Sequence, residues 1–297
     1  MAIRSYAEML RGHAAEVDQL TVDQAQEFLR LLRDMRERLL GRLTAAPIKD
    51  NADFNAFHLR RVLAETEAEI EVLEKKAASA YDKTISAGTK MVVEHLADEV
   101  NALSKQFEPR PFEVSLSAAK ALADPMTGLL ASHFETSIER YGLDVLNGVR
   151  SELFTAMRGG QSYRDTIRNV AGMDGPLGSV GETRAGLLVR TEYSHALGSA
   201  KQTGLELASK KVPGLKKMWL HTGSYECPTC KKLHGTVRPI NGTWTFITGV
   251  HVKRTYTVAH PPAHPHCVCV ETAIKNSWKG PLEKLGYLDG VLPGKRK

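Results

Sequence analysis

Two stretches decide how the C-terminal part of this chain folds: Cys227-Pro228-Thr229-Cys230 and His260-Pro261-Pro262-Ala263-His264-Pro265-His266-Cys267-Val268-Cys269. They hold all four cysteines of a 297-residue protein. The window His221 to His266 also holds six of its eleven histidines. A Cys-x-x-Cys turn points two sulfurs the same way, and a second soft-ligand pair on a distant loop can close a tetrahedral metal site. Cys-x-Cys is a less usual chelating pair, whereas His264-x-x-Cys267 has a familiar spacing. Two ligand sets are therefore compatible with the spacing. One is Cys227, Cys230, Cys267 and Cys269; the other keeps Cys227, Cys230 and one later cysteine, with a histidine as fourth donor. Four protein ligands leave no open position, so zinc here would staple loops and do no chemistry. A thioredoxin-like redox motif needs a βαβ context, which the surroundings of Cys227 do not supply. A disulfide is disfavoured by the cytosol-like setting that the sequence suggests.

Outward from the cluster, residues 216–280 read as short strands. Met218 to His221, Thr243 to Phe246 and Val250 to Val258 are β-branched and aromatic, between turn signals at Pro228, Asn241-Gly242, Gly249 and Pro261-Pro262. A core of so few strands needs a staple. His221, His234 and His251 have no spacing that demands a metal and read as strand or loop residues.

Everything before residue 216 reads as helix. Residues 1–46 suggest a helical hairpin, because Thr21-Val22-Asp23-Gln24 fits a capping box. Pro47 ends that unit. Residues 53–107 contain no proline and one glycine, Gly88. Leu59, Leu63, Thr66, Ile70, Leu73, Ala77 and Ala80, then Val92, Leu96, Val100, Leu103 and Phe107, give a coiled-coil-like seam. That predicts one long helix, or two with a break near Ala77 to Gly88. Pro109 and Pro111 mark a joint. Pro125 fits the first turn of the next helix, which Gly159-Gly160 stops. Ser162 caps a short helix through Val170. Gly172 to Gly181 reads as a flexible turn, and Glu182 to Lys211 as a helix ended by Pro213-Gly214. The expected architecture is α+β and predominantly α-helical, with long N-terminal helices and a small zinc-stapled, β-containing C-terminal module. Its parts are a helical arm (1–110), a helical domain (111–215), the module (216–280) and a basic tail (281–297).

Charge follows the same division. Residues 216–297 hold 13 lysines and arginines against 4 acids, a net of +9, while residues 1–215 carry 27 against 30, a net of −3. Such a segment can sit on nucleic acid by counterion release. No 18-residue apolar run exists, and Met1 to Leu20 lacks the apolar core of a secretory signal, so no membrane partner and a cytosol-like compartment are expected. No Walker A loop, Gly-x-Ser-x-Gly or His-Glu-x-x-His string is present.

Arg190-Thr191-Glu192, Trp219, Cys227-Pro228-Thr229-Cys230, Leu233-His234-Gly235 and the closing Pro261-Pro262-Ala263-His264-Pro265-His266-Cys267-Val268-Cys269 come in a fixed order. This resembles the phage head morphogenesis family, the Mu F-like minor head proteins, over about residues 145–275. Two positions depart from the family's pattern. Ser224-Tyr225-Glu226 stand where an Asp is usual, and Val268 stands for an Arg. The resemblance implies a low-copy structural component of a tailed phage virion, at the portal vertex or capsid interior and in the host cytoplasm during assembly. It implies contacts with the portal, major capsid or scaffold protein, and the basic C-terminal segment adds phage DNA as a further expected partner. It implies no catalysis. Arg190 and Glu192, two apart on a helix, do not face each other and are expected to pair elsewhere, locking their helix to the zinc module. The competing classes are a nuclease using His260, His264 or His266, and a DNA-binding module without chemistry.

Overall fold

The structure is a computed structural model, and it describes residues 3–45, 54–111, 113–114, 116–172, 174–221, 227–248, 254–265 and 267–278. Five helices come first: α1 (Ile3–Thr44), α2 (Ala56–Phe107), α3 (Leu116–Arg158), α4 (Tyr163–Ala171) and α5 (Ser179–Lys211). Then come β1 (Lys216–Leu220), α6 (Pro228–Leu233), β2 (Val237–Pro239), β3 (Trp244–Thr248), β4 (Arg254–Val258) and β5 (Val270–Ile274). The chain is 72% helical with a small sheet region in its C-terminal part, as the α+β reading expects.

The expected hairpin in residues 1–46 is instead one helix. Thr21 does not cap a second helix: its hydroxyl donates to the carbonyl of Asp18, three residues back, and the side chain is buried. A threonine that bonds its own helix leaves the turn intact. Likewise α2 runs without a break past Gly88. An added Cβ there would stand 2.9 Å from Leu20 and 3.0 Å from Leu197, so the glycine serves close packing and not a turn. The seam of α2 is largely the expected one, with Val62 and Tyr81 added to it. Val62, Thr66, Ile70, Leu73, Ala77 and Tyr81 are buried, while Leu59, Leu63 and Ala80 are only partly so. Pro125 lies in the tenth position of α3, not in a first turn. The predicted stops hold. Gly160, at φ 61°, ends α3 in a left-handed cap whose Gln161 N–H reaches Ala156 O, and the Ser162 hydroxyl accepts from the N–H of Asp165 at the start of α4. Gly172 to Gly178 is a tight hydrogen-bonded turn with Leu177 buried.

The chain divides into two compact units, Met1–Val22 with Thr84–Leu129 and Arg190–Lys297, and Asp23–Lys83 with Leu130–Val189. The sequence boundaries at 110 and 215 both fall inside the first of them. In the second unit, Tyr81 stacks on Phe134 at 4.0 Å. Glu69, 1% exposed, is held by Arg38 and Arg42 at 2.9 and 3.0 Å.

In the first unit β1 is the centre of a three-stranded antiparallel sheet in the order β2-β1-β5. The separate β3-β4 hairpin pairs Trp244 with Val258 through Thr248 with Arg254. Met218, Leu220 and Ile274 join Leu96, Val100, Leu205 and Trp278 in one core. Trp219 points into a second one with Cys230, Trp244, Phe246, Cys267 and Cys269. Alternation along β1 thus sends one face to the helices and the other to the cysteines. Among the described residues no helix is long and apolar enough to cross a membrane. The tail from 281 and residues Gly249 to Lys253 of the expected third strand lie outside the described residues.

Candidate metal centre

Two loops build the centre. The first begins at Cys227, the N-cap of α6, with Pro228 in the first turn. One and a half turns of helix put Cys230 on the inner side. The N–H groups of Lys231 and His234 close the turn on the carbonyls of Cys227 and Cys230. Gly235, at φ 72°, then lets the chain reverse, and its N–H donates to Trp219 O on β1. The Trp244 indole donates to the Thr236 hydroxyl at 2.9 Å and stacks edge-on against Trp219 at 5.1 Å. The Cys-x-x-Cys turn is therefore fastened to both sheets by backbone and aromatic contacts.

The second loop runs from β4 to β5 through the cis Pro261-Pro262 bond. The Cys267 N–H bonds to the carbonyl of His264, a tight turn that faces both toward Cys230. His264 Nδ1 lies 2.7 Å from Pro265 O. A carbonyl only accepts, so Nδ1 carries the proton and Nε2 presents its lone pair. That Nε2 stands 3.1 Å from Cys227 Sγ and 3.0 Å from Cys230 Sγ. Cys230 Sγ is 3.8 Å from Cys267 Sγ. Cys269 Sγ meets His221 Nδ1 at 3.5 Å. Two triads result, Cys227-Cys230-His264 and His221-Cys230-Cys269, whose donor atoms lie within 4.8 Å of one another. These Cys/His groups could hold a metal ion. Both carry the metal-ready chemistry of soft sulfur and imidazole donors, and neither contains a carboxylate.

The shared hydrogen bonds push the thiols in opposite directions, Cys227 and Cys267 down and Cys230 and Cys269 up. Hydrogen bonds from Cys230 and Cys269 pull the Cys267 thiol down to about 2, and the same sharing pushes Cys230 up. Burial alone would raise Cys227, but the backbone and thiol of Cys230 outweigh it and lower it. All four cysteines are free thiols, so no disulfide spends them.

Of the four cysteines named from the sequence, Cys227 and Cys230 group with His264, Cys230 and Cys269 group with His221, and Cys267 lies 3.8 Å from Cys230 outside both groups. His221 was missed. It follows β1 directly, and since Leu220 pairs with Val270, the next residues on the two strands, His221 and Cys269, come side by side. Only the strand register shows this. His260 goes elsewhere: its Nδ1 lies 2.7 Å from Pro261 O and its Nε2 accepts from Ser199 on α5 at 3.0 Å. His234 accepts from the His221 N–H through Nδ1. His251 and His266 lie outside the described residues. Arg190 does not reach the metal module; it pairs with Asp18 on α1 at 2.8 Å.

Beside the centre lies a cavity of about 70 Å³, lined among others by His13, Glu99, Lys201, Cys267, Cys269 and Glu271. Its charges are mostly answered internally. Glu99 is fully buried, takes Lys201 at 2.7 Å and Thr272 at 2.8 Å, and has His13 at 3.4 Å. His95 faces Glu16 at 3.0 Å and stacks on His13. Glu271 has no hydrogen-bond partner, and burial pushes its carboxyl up to about 8. This charged layer ties α1, α2, α5 and β5 together.

Comparison with protein-family models, with curated proteins and with solved structures finds no match to this chain.

Proposed function

We propose that the cysteine–histidine cluster holds zinc as a structural staple, and that the chain is a minor head protein of a tailed phage, a virion component near the portal or inside the capsid. The observation that supports the first part is the convergence of Cys227, Cys230, His264 and Cys267 from two separate loops. With Zn–S of about 2.3 Å and Zn–N of about 2.0 Å, a tetrahedron has S–S edges of about 3.8 Å and S–N edges of about 3.5 Å. The Cys230–Cys267 separation is 3.8 Å, and the two His264 separations are within about half an ångström of the S–N edge. Zinc bound there neutralises thiolates that would otherwise be buried together. The proton on His264 Nδ1, held by Pro265 O, fixes which nitrogen faces the metal. The chain's part is to orient four donors and exclude water, and the return is that α6, β3, β4 and β5 are pinned without a large core.

The virion role rests on the ordered motif from Arg190 to Cys269. A protein that mainly bridges other subunits suits long helices and a stapled module better than it suits catalysis. A nuclease would want a carboxylate or open position at the metal, and the described donor groups hold only cysteine and histidine. A DNA-contacting role is weakened by where the basic residues go. Lys217 is buried, donating to Gln202 at 2.8 Å and Ala259 O at 2.5 Å. Lys275 pairs with Glu108 at 2.6 Å. Of the described basic residues in the module, Lys231, Lys232, Arg238 and Arg254 are exposed, which leaves a scattered surface for phosphate.

Elemental analysis of the purified chain beside Cys227→Ser tests the staple: zinc is expected in the first and depleted in the second, and a zinc-free wild-type chain overturns it. Mass spectrometry of particles from a phage or induced prophage that carries this gene tests the virion role. The chain is expected at low copy beside the portal, and its absence from complete particles overturns that role.

A further inference from the structure

We propose that the cluster takes two metal ions, the second bound by His221, Cys230 and Cys269, with Cys230 shared between the ions. This rests on the zinc reading above and goes past it in ligands and stoichiometry. A single tetrahedral ion uses four donors. The structure gathers six, four sulfurs and two imidazoles; five of them fall into two triads that have Cys230 in common, and Cys267 lies 3.8 Å from Cys230 outside both.

The surplus pair has the dimensions of a ligand pair. Cys269 Sγ and His221 Nδ1 are 3.5 Å apart, which equals the S–N edge of about 3.5 Å in a zinc tetrahedron. Both are buried, His221 at 2% and Cys269 at 7% exposure, so neither is placed to serve as a surface nucleophile. The pairing of Leu220 with Val270 sets them side by side, and the His221 N–H is tied to His234. Thus the second triad is as firmly placed as the first.

Donor counting then assigns the bridge. Cys230 belongs to both triads and is the shared sulfur. Cys267, 3.8 Å from it, belongs to neither and completes the donor set of the first ion, as in the single-ion reading. The second ion then has three protein donors and one position for water. Cys227, His264 and Cys267 become the terminal ligands of one ion, His221 and Cys269 those of the other. Thiolate sulfur has the lone pairs to bridge, which imidazole nitrogen lacks.

Charge points the same way. Two divalent ions with four thiolates and two neutral imidazoles sum to zero. One ion with three thiolates and His264 leaves a net negative charge in a buried site, beside an unused thiol and imidazole. Burying net charge costs several kcal/mol in general, so the neutral cluster is the better fit to cysteines this enclosed.

The experiment uses the full-length chain, expressed with added zinc and dialysed against metal-free buffer. Zinc per chain is measured by elemental analysis against amino-acid analysis, and the zinc is then exchanged for cadmium for NMR. Two zinc ions per chain and two cadmium resonances, coupled through the shared sulfur, are expected. His221→Ala is expected to reduce the count to one, with helical circular dichroism kept. One zinc per chain with a single cadmium resonance overturns the second ion and leaves the single-zinc staple standing. No zinc at all overturns both. Two ions retained in a folded His221→Ala chain overturn this ligand assignment. Should that variant fail to fold, the wild-type stoichiometry and resonance count decide.

Discussion

Gly198 is where α5 touches the loop that carries the later ligands. A Cβ there would sit 2.2 Å from Pro261 O and 2.7 Å from His260 Nδ1. A backbone oxygen cannot swing aside as a side-chain end can, so Gly198→Ala must push the whole loop. It is expected to cost about 1–3 kcal/mol in chemical denaturation and to weaken metal retention with it; an unchanged midpoint would mean that the loop yields freely. Glu99 is the other residue on which much depends. Glu99→Gln leaves Lys201 buried beside a neutral amide, and breaking such a pair costs about 3–5 kcal/mol. Replacing both, as Glu99→Leu with Lys201→Met, is expected to be milder than either single change, which a double-mutant cycle measures. The pH dependence has a definite sign. Burial opposes ionisation of Glu99, but Lys201 and His13 outweigh it and hold its carboxyl below the usual range. Its contribution is therefore present above the unfolded carboxylate pKa and is lost as pH falls through the lower folded value. Wild-type melting temperature should fall on acidification by more than that of Glu99→Gln.

At the scale of the element, α2 shows how much a glycine decides. In a helix interior Gly to Ala gains about 1 kcal/mol. At Gly88 the new methyl would meet the ends of Leu20 and Leu197, which can give way. The two effects oppose, and Gly88→Ala is expected within about 1 kcal/mol of wild type. Gly88→Val adds two further carbons with a stiff rotamer and is expected to cost about 1–3 kcal/mol. Equal stability of the two variants by thermal unfolding would show that this contact is loose. The same reasoning explains why sequence left two readings open at Gly88 and placed a helix start at Thr21. Both resemble helix breaks in sequence, because a glycine that packs and a glycine that turns are the same letter. Only the neighbours Leu20, Leu197 and Asp18 tell them apart.

For the whole molecule, chelation is the informative perturbation. Most of the helix lies outside the cysteine-bearing loops, while Trp219 and Trp244 pack directly against the cysteines. Removing metal with a strong chelator is expected to shift tryptophan fluorescence and lower the melting of the C-terminal module. Far-UV circular dichroism should keep most of its amplitude. Loss of both signals together would mean that the first unit cannot hold without its metal.

Sequence by itself determined the helical class, the C-terminal end of α3, both ends of α4, the strand character after residue 216 and the cysteines that approach one another. Each of these is written locally: in helical spacing, in a Gly-Gly stop, in a serine cap, in a Cys-x-x-Cys turn. Tertiary structure alone decided the unbroken length of α1 and α2, the pairing of Arg190 with Asp18, the buried Glu99–Lys201 layer and the entry of His221 into the cysteine–histidine cluster. Those depend on which residues meet across long stretches of chain. His221 and Cys269 are 48 residues apart, and only the register of β1 on β5 makes them neighbours.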